Sequence, residues 1–132
     1  MERMDLALFF RTVYDRFNAR DVDALLVDMT PDVDWPDVRG GRRIRGHDAV
    51  RAYWADQWQV MDPQVEARRV TELPDGRVDV EVHQVVRDLA TGDVVVDQVV
   101  HHVYELCDGL VSAMQVTSTA PRPTFGHDET AP

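Results

Sequence analysis

The 132-residue chain has no lysine and a single cysteine, Cys107. One thiol cannot close an internal disulfide, so packing and hydrogen bonds alone must hold the fold, and a reducing cytoplasm is the expected location. Apolar runs near the ~20 residues of a membrane span are absent, and no secretory leader is read, so a membrane partner is not expected. A cationic excess is missing as well: 14 arginines face 24 acidic residues, for a formal net charge of −10. That sign repels phosphate backbones and argues against nucleic acid. Histidine is sparse, and no pairing of His83, His101 and His102 has a recognised zinc spacing, so neither metal nor organic cofactor is expected.

What is present is β-branched and ordered. Asp93 to Leu106 is an extended central strand whose alternate residues Val94, Val96, Gln98, Val100, His102, Tyr104 and Leu106 form an apolar row interrupted by Gln98 and His102. The opposite row mixes acids with Val95, Val99 and Val103, an apolar strip suited to a second subunit. Turn signals at Pro74-Asp75-Gly76, Ala90-Thr91-Gly92 and Cys107-Asp108-Gly109 join four strands, near 65–73, 77–88, 94–106 and 110–117. Strands this long must twist and bend.

The first half reads as helical. Leu6, Phe9, Phe10, Val13 and Phe17 recur at helical spacing. Asp21 can cap a shorter helix carrying Val22, Leu25, Leu26 and Met29, which Pro31 closes. Val33 to Pro36 is a short strand, Gly40-Gly41 a turn, and Gly46-His47-Asp48 opens a third helix with Val50, Tyr53, Trp54, Gln57, Trp58 and Met61 along one side. Three helices followed mainly by antiparallel strands make an α+β domain over residues 1–117, with the helices closing the hollow of a bent sheet into a cone. Residues 118–132, with three prolines, read as a flexible tail.

This order, with Tyr14-Asp-Arg-Phe-Asn-Ala-Arg-Asp21, Val33-Asp-Trp-Pro36, Arg45 to Trp54 and His102-Val-Tyr-Glu-Leu-Cys-Asp-Gly-Leu110, resembles the SnoaL-like branch of the NTF2-like superfamily over about residues 5–117. The resemblance implies a cone-shaped fold, a central cavity and frequent dimerisation through the sheet. In the related ketosteroid isomerases a carboxylate base follows the first strand, while a phenol on the first helix and an acid on a later strand bind the enolate oxygen. Aligned on the Asn-Ala-x-Asp segment, the base position falls on Asp37, the phenol position on Val13 and the acid position on His102. Val13 donates no hydrogen bond, and the adjacent Tyr14 lies about 100° away around the helix. An authentic steroid isomerase is therefore not implied.

Asp37 and His102 remain as the candidate acid and base, acting next to a carbonyl of a small apolar or polycyclic ligand. Asp37 also sits among Asp28, Asp32 and Asp34, where a solvated loop carboxylate is the plainer reading, and a histidine on an apolar face is often a satisfied core residue. Gln84 and Gln98 can orient a ligand or bond one another across the sheet. Tyr14, Trp35, Tyr53, Trp54, Trp58, Tyr104 and Met114 divide between core and ligand-binding wall. Arg39, Arg42, Arg43, Arg45 and Arg51 near the turn either steer an anion or offset nearby acids. A SnoaL-like enzyme of isomerase or cyclase type and a non-catalytic ligand-binding or dimeric accessory module are both compatible with these residues.

Overall fold

The computed structural model describes residues 4–119; from residue 120 onward the expected tail lies outside the described residues. The elements are α1 (Leu6–Asn18), α2 (Val22–Val27), β1 (Met29–Asp37), β2 (Arg42–Arg45), α3 (His47–Val60), β3 (Met61–Glu72), β4 (Val78–Asp88), β5 (Val94–Cys107) and β6 (Leu110–Thr117). The strands form one mixed sheet in the order β2-β1-β6-β5-β4-β3. Every neighbouring pair is antiparallel except β1 with β6. Register shifts interrupt four of the five pairings, and each shift bends its strand, so the sheet curves around the helices.

Local chemistry fixes the element ends. Asp5 caps α1 by accepting from Leu8 N (3.1 Å), and Asp21 caps α2 by accepting from Ala24 N (3.3 Å). The turn between β5 and β6 places both Asp108 (φ 53°) and Gly109 (φ 80°) in the left-handed region, which the tight two-residue hairpin requires. At the end of α1 the Asn18 amide donates to Val65 O (2.8 Å) and accepts from Val65 N (2.9 Å). It thereby serves β3, the sheet's edge strand, as a neighbouring strand would.

Three expectations change. Pro31 does not close α2, which ends at Val27; it lies inside β1, within the stretch where pairing to β6 shifts register between Met29 and Asp34. β1 is therefore nine residues long, and proline is tolerated because the ladder is interrupted there. The turn at Gly40-Gly41 leads into an additional strand, β2, whose Arg-Arg-Ile-Arg sequence carries charge instead of alternating apolar residues, as suits a sheet edge. Its arginines are paired: Arg42 with Asp37, Arg43 and Arg45 with Asp34.

The apolar row of β5 is buried over its second half, where Val100 and Tyr104 enter the core; Val94 and Gln98 are exposed. Length explains this. A 14-residue strand runs about 46 Å and the 13-residue α1 about 20 Å, so the helix cannot cover the whole strand. On the opposite face Val95 and Val99 are exposed, but Val103 is buried within the single chain. Asp79 is buried there too, bonded to His101 Nδ1 at 3.0 and 3.1 Å.

The core joins Val78, Val80, Val82 and Val111 of the sheet to Phe10, Leu25, Val50 and Trp54 of the helices. Phe10 is fully buried, its ring 4.5 Å from that of Tyr104. Phe10→Ala should cost about 3–5 kcal/mol, whereas Leu8→Ala on the exposed side of α1 should stay within about 0.5 kcal/mol; urea unfolding of the two variants reads the contrast.

Candidate functional site

Helix α1 sets the site. Phe10, Val13, Tyr14 and Phe17 stand at i, i+3, i+4 and i+7 on one face, which turns Tyr14 inward beside Val13. The pocket between α1 and the sheet is lined from α1 by Val13, Tyr14 and Phe17, and from β5 by His102 and Tyr104. Leu25, Met29, Trp35, Trp54 and Val65 complete the wall from α2, β1, α3 and β3. Its interior volume is about 50 Å³, room for a few water molecules and well below that of an ordinary small-molecule site. Carbon forms the accessible wall.

Behind that wall lies a polar trio of two buried tyrosines and the partly buried His102. Tyr14 Oη is 2.9 Å from His102 Nδ1 and 2.8 Å from Tyr104 Oη, so one phenol joins helix to strand through two hydrogen bonds. Nε2 of His102 makes no hydrogen bond among the described residues. Loss of water, and secondarily the neighbouring His101, push the His102 pKa down to about 4, so the imidazole is neutral at pH 7. Burial pushes both phenols up from the usual tyrosine range; the hydrogen bond from Tyr14 partly opposes this at Tyr104. At neutral pH the trio carries no net charge.

The phenol position does not come to rest on Val13 alone. Both residues line the pocket, and the hydroxyl that Val13 lacks arrives from Tyr14. The signal was in the sequence, since Tyr14 stands four residues after Phe10 and three before Phe17.

Asp37 lies elsewhere. Its carboxylate accepts from Gly40 N (2.8 Å) and Arg42 Nε (3.1 Å), organising the turn between β1 and β2, and it is not among the pocket-lining residues. Those contacts hold its pKa below the usual carboxylate value, led by the Gly40 N–H. A Cβ at position 40 would lie 2.5 Å from Asp37 Oδ2, so any side chain there would displace the Asp37 carboxylate from its present position. The expectation that Asp37 and His102 share one chamber is not met in this geometry.

Among the aromatic candidates, Trp35 and Trp54 face the pocket with ring centroids 5.6 Å apart. Trp58 stacks behind Trp54 at 5.8 Å, under the Arg20 guanidinium at 4.8 Å; its Nε1 is buried without a hydrogen-bond partner among the described residues. Tyr53 is half-buried near Val38 and Asp37, and its pKa is raised, chiefly by burial. Gln98 Nε2 donates to Gln84 Oε1 across the sheet (3.2 Å), so these amides serve one another away from the pocket wall. Met114 is buried in the core, and its carbonyl accepts from Arg43 Nη2 (2.8 Å). No group of three or more His, Cys, Asp or Glu side chains among the described residues has metal-binding geometry. No helix among them is long and apolar enough to cross a membrane.

The model of the SnoaL-like domain family matches residues 10–114, which takes in every lining residue. An NTF2-like protein of unknown function from Burkholderia pseudomallei is 21% identical, with a TM-score of 0.75 over 89% of this chain and 92% of that one. A putative polyketide cyclase from Xanthomonas campestris is 22% identical, with a TM-score of 0.70 over 79% and 82%. TerC, crystallised with polyporic acid, is 26% identical, with a TM-score of 0.70 over 81% and 85%. No curated protein matches the chain.

The depressed His102 pKa carries a stability sign. Between about pH 6.5 and 4 the unfolded chain protonates this imidazole and the folded chain does not, so the unfolded state binds more protons and acid destabilises the fold. Wild type should lose at most about 3 kcal/mol through this residue as pH falls from 7 to 4. His102→Gln should show that much less acid sensitivity in urea unfolding across the same range.

Proposed function

The chain belongs to the SnoaL-like domain family, and on that premise we propose that it takes a compact apolar carbonyl compound into the pocket and moves a proton at the carbon next to the carbonyl, without metal or organic cofactor. The observation that supports this reading is the uncharged Tyr14–His102–Tyr104 trio directly behind the pocket's apolar wall. An enolate forming there is stabilised by a phenolic hydrogen bond, worth more in a dry site than in water. Neutral His102, able to accept a proton, is assigned as the base. Asp37 is a rival for that role, but its oxygens are engaged by Gly40 and Arg42. The interior is smaller than an ordinary ligand site, so the compound must be compact, and its entry moves lining side chains such as Phe17 and Met29 outward.

One observation favours the non-catalytic alternative, in which the protein binds a ligand or serves as an accessory module. The trio's internal bonds are already made, and the surface offered to a ligand is carbon. The two readings separate in a single assay. With 2-indanone in D2O, NMR should show exchange of the protons next to the carbonyl, slowed by about 10²-fold or more in His102→Gln and Tyr14→Phe and by less than about twofold in Asp37→Asn. A melting-temperature shift without exchange would establish the binding module, and loss of exchange in Asp37→Asn alone would transfer the role of base to Asp37.

We extend the proposal to a homodimer through the outer sheet face, where Val95 and Val99 are exposed on one strand. Burial of Val103 within one chain narrows the contact to the N-terminal half of β5. Light scattering at micromolar concentration should give about twice the chain mass for wild type, and the monomer mass for a Val95→Glu/Val99→Glu double variant.

A further inference from the structure

Helix α1 ends on a residue type that its backbone does not favour. The Arg20 N–H donates to Phe17 O (3.0 Å) and the Asp21 N–H to Arg16 O (2.9 Å), the pair of bonds that closes a helix when the chain turns left-handed. Glycine is the usual occupant of that left-handed position, because a Cβ crowds the neighbouring carbonyl there. Here it is arginine, at φ 63°. The backbone gains nothing from that choice, so its reason lies in the side chain. Arg20 Nη1 donates back to Phe17 O (3.1 Å), and Nη2 donates to Asp62 at the start of β3, whose same oxygen accepts from Gln64 Nε2 (3.1 Å). The guanidinium also lies 5.5 Å from the ring centroid of Phe17 and 4.8 Å from that of Trp58. One cation thus ties together the ends of α1 and α3 and the beginning of β3.

That tie closes over the rim of the pocket. Of the described lining residues, Phe17 and His102 are partly exposed and the others are buried, so the pocket meets solvent beside these two. His102 is held on the sheet by Tyr14, and Phe17 by rings, edge-on to Trp54 (5.8 Å) and Trp58 (5.3 Å). The backbone between them is fixed by the two bonds of Asn18 to Val65, so the small interior widens by side-chain movement at Phe17. Trp58 shows what the closed arrangement costs. Its Nε1 is buried with no hydrogen-bond partner among the described residues, a penalty that water relieves once the covering groups move aside.

From this geometry we infer that Arg20, braced on Asp62, is a latch on the pocket's entrance: it holds the Phe17 and Trp58 rings closed, and its release lets Phe17 swing outward and admit a flat, compact aromatic ligand. The choice of ligand rests on the function proposed above and adds how that site is entered; the latch itself is read without any ligand. Arg20 is a positioning residue, acting through the two rings. The space that opens was filled by an aromatic ring packed edge-on to two indoles, so a flat ring system fits it where a branched chain does not. The Arg20 and Asp62 side chains are 27% and 36% exposed, so solvent screens their pairing in part and salt weakens it, which keeps the latch reversible.

The experiment follows hydrogen exchange by NMR in the full-length 15N-labelled protein, the Trp58 indole signal being assigned by its absence in Trp58→Phe. A buried indole N–H exchanges with D2O when its cover opens, whereas the amides of Val80 and Val82 in the middle of β4 report opening of the whole fold. Arg20→Gly, which relieves the left-handed strain, and Asp62→Asn, which keeps the shape and removes the charge, should each speed Trp58 exchange about tenfold and leave the two amides within about threefold. Raising salt from about 0.05 M to about 0.5 M should speed Trp58 exchange in wild type and not in Arg20→Gly. With 2-indanone as probe, the association rate should rise in both variants by a similar factor. In Phe17→Ala, which lacks the door, adding Asp62→Asn should change that rate by less than about twofold. Unchanged Trp58 exchange in both variants, equal acceleration of the Val80 and Val82 amides, or 2-indanone association at the wild-type rate in both would overturn the latch. Faster Trp58 exchange with no binding of 2-indanone by any variant would support the latch and overturn the proposed function.

Discussion

The Tyr14 hydroxyl is the point at which helix and sheet must agree. It lies within hydrogen-bond distance of two β5 side chains at once, and rotating α1 out of register would orphan buried polar atoms on both sides. Each such loss costs roughly 1–3 kcal/mol, comparable with the burial of a whole apolar side chain. One turn further along, the Asn18 amide bonds both backbone groups of Val65. Two polar ties four residues apart fix the rotation and translation of α1 more narrowly than apolar contact would, because hydrophobic packing has no direction of its own. The pocket is the space that remains when α1 is held there against a curved sheet and the aromatic rings are too rigid to fill it.

Charge is sorted radially. The arginines of β2 pair with Asp34 and Asp37 outside the pocket, and His83 meets Asp97 at 2.8 Å on a partly exposed sheet face. His101, one residue from His102 but on the opposite face, bonds Asp79. Strand alternation thus gives two adjacent histidines opposite environments, one beside a carboxylate and one among neutral phenols. A carboxylate beside His102 would raise its proton affinity; the structure places that carboxylate across the sheet.

How much of this was legible in the sequence depended on whether the signal was periodic. The hairpins and the limits of the long strands followed from alternation and Gly-containing turns, because both arise from local backbone chemistry, except that β3 starts at Met61, which helical spacing had placed on α3. β2 was missed since three of its four residues are arginine, and an edge strand needs no apolar face. Pro31 was misread because the rule against proline in strands assumes an uninterrupted ladder, and β1 has a register shift around it. At the site, Val13 and Tyr14 were treated as alternatives separated by about 100°, yet a pocket-facing arc on a helix is at least that wide and holds both. Asn18 showed only as a helix interruption, since its bond to Val65 joins residues 47 apart in sequence.

Asp37 illustrates a different limit. Its strand position is the one that the resemblance to ketosteroid isomerases implies for the base, and Trp35 two residues earlier does line the pocket, so alternation puts both on one side of β1. What diverts the carboxylate is the residue at position 40: with no Cβ, Gly40 lets the chain fold back until its N–H meets Oδ1 and Arg42 closes on Oδ2. Correct placement on a strand therefore does not make a base, since a carboxylate already stabilised by donors has less affinity for a further proton. The same reasoning applies in reverse to His102, whose Nε2 has no hydrogen-bond partner among the described residues while its other nitrogen is held by Tyr14. In the proposed reaction the base therefore falls to β5, whereas the β1 carboxylate is already held in the turn by Gly40 and Arg42.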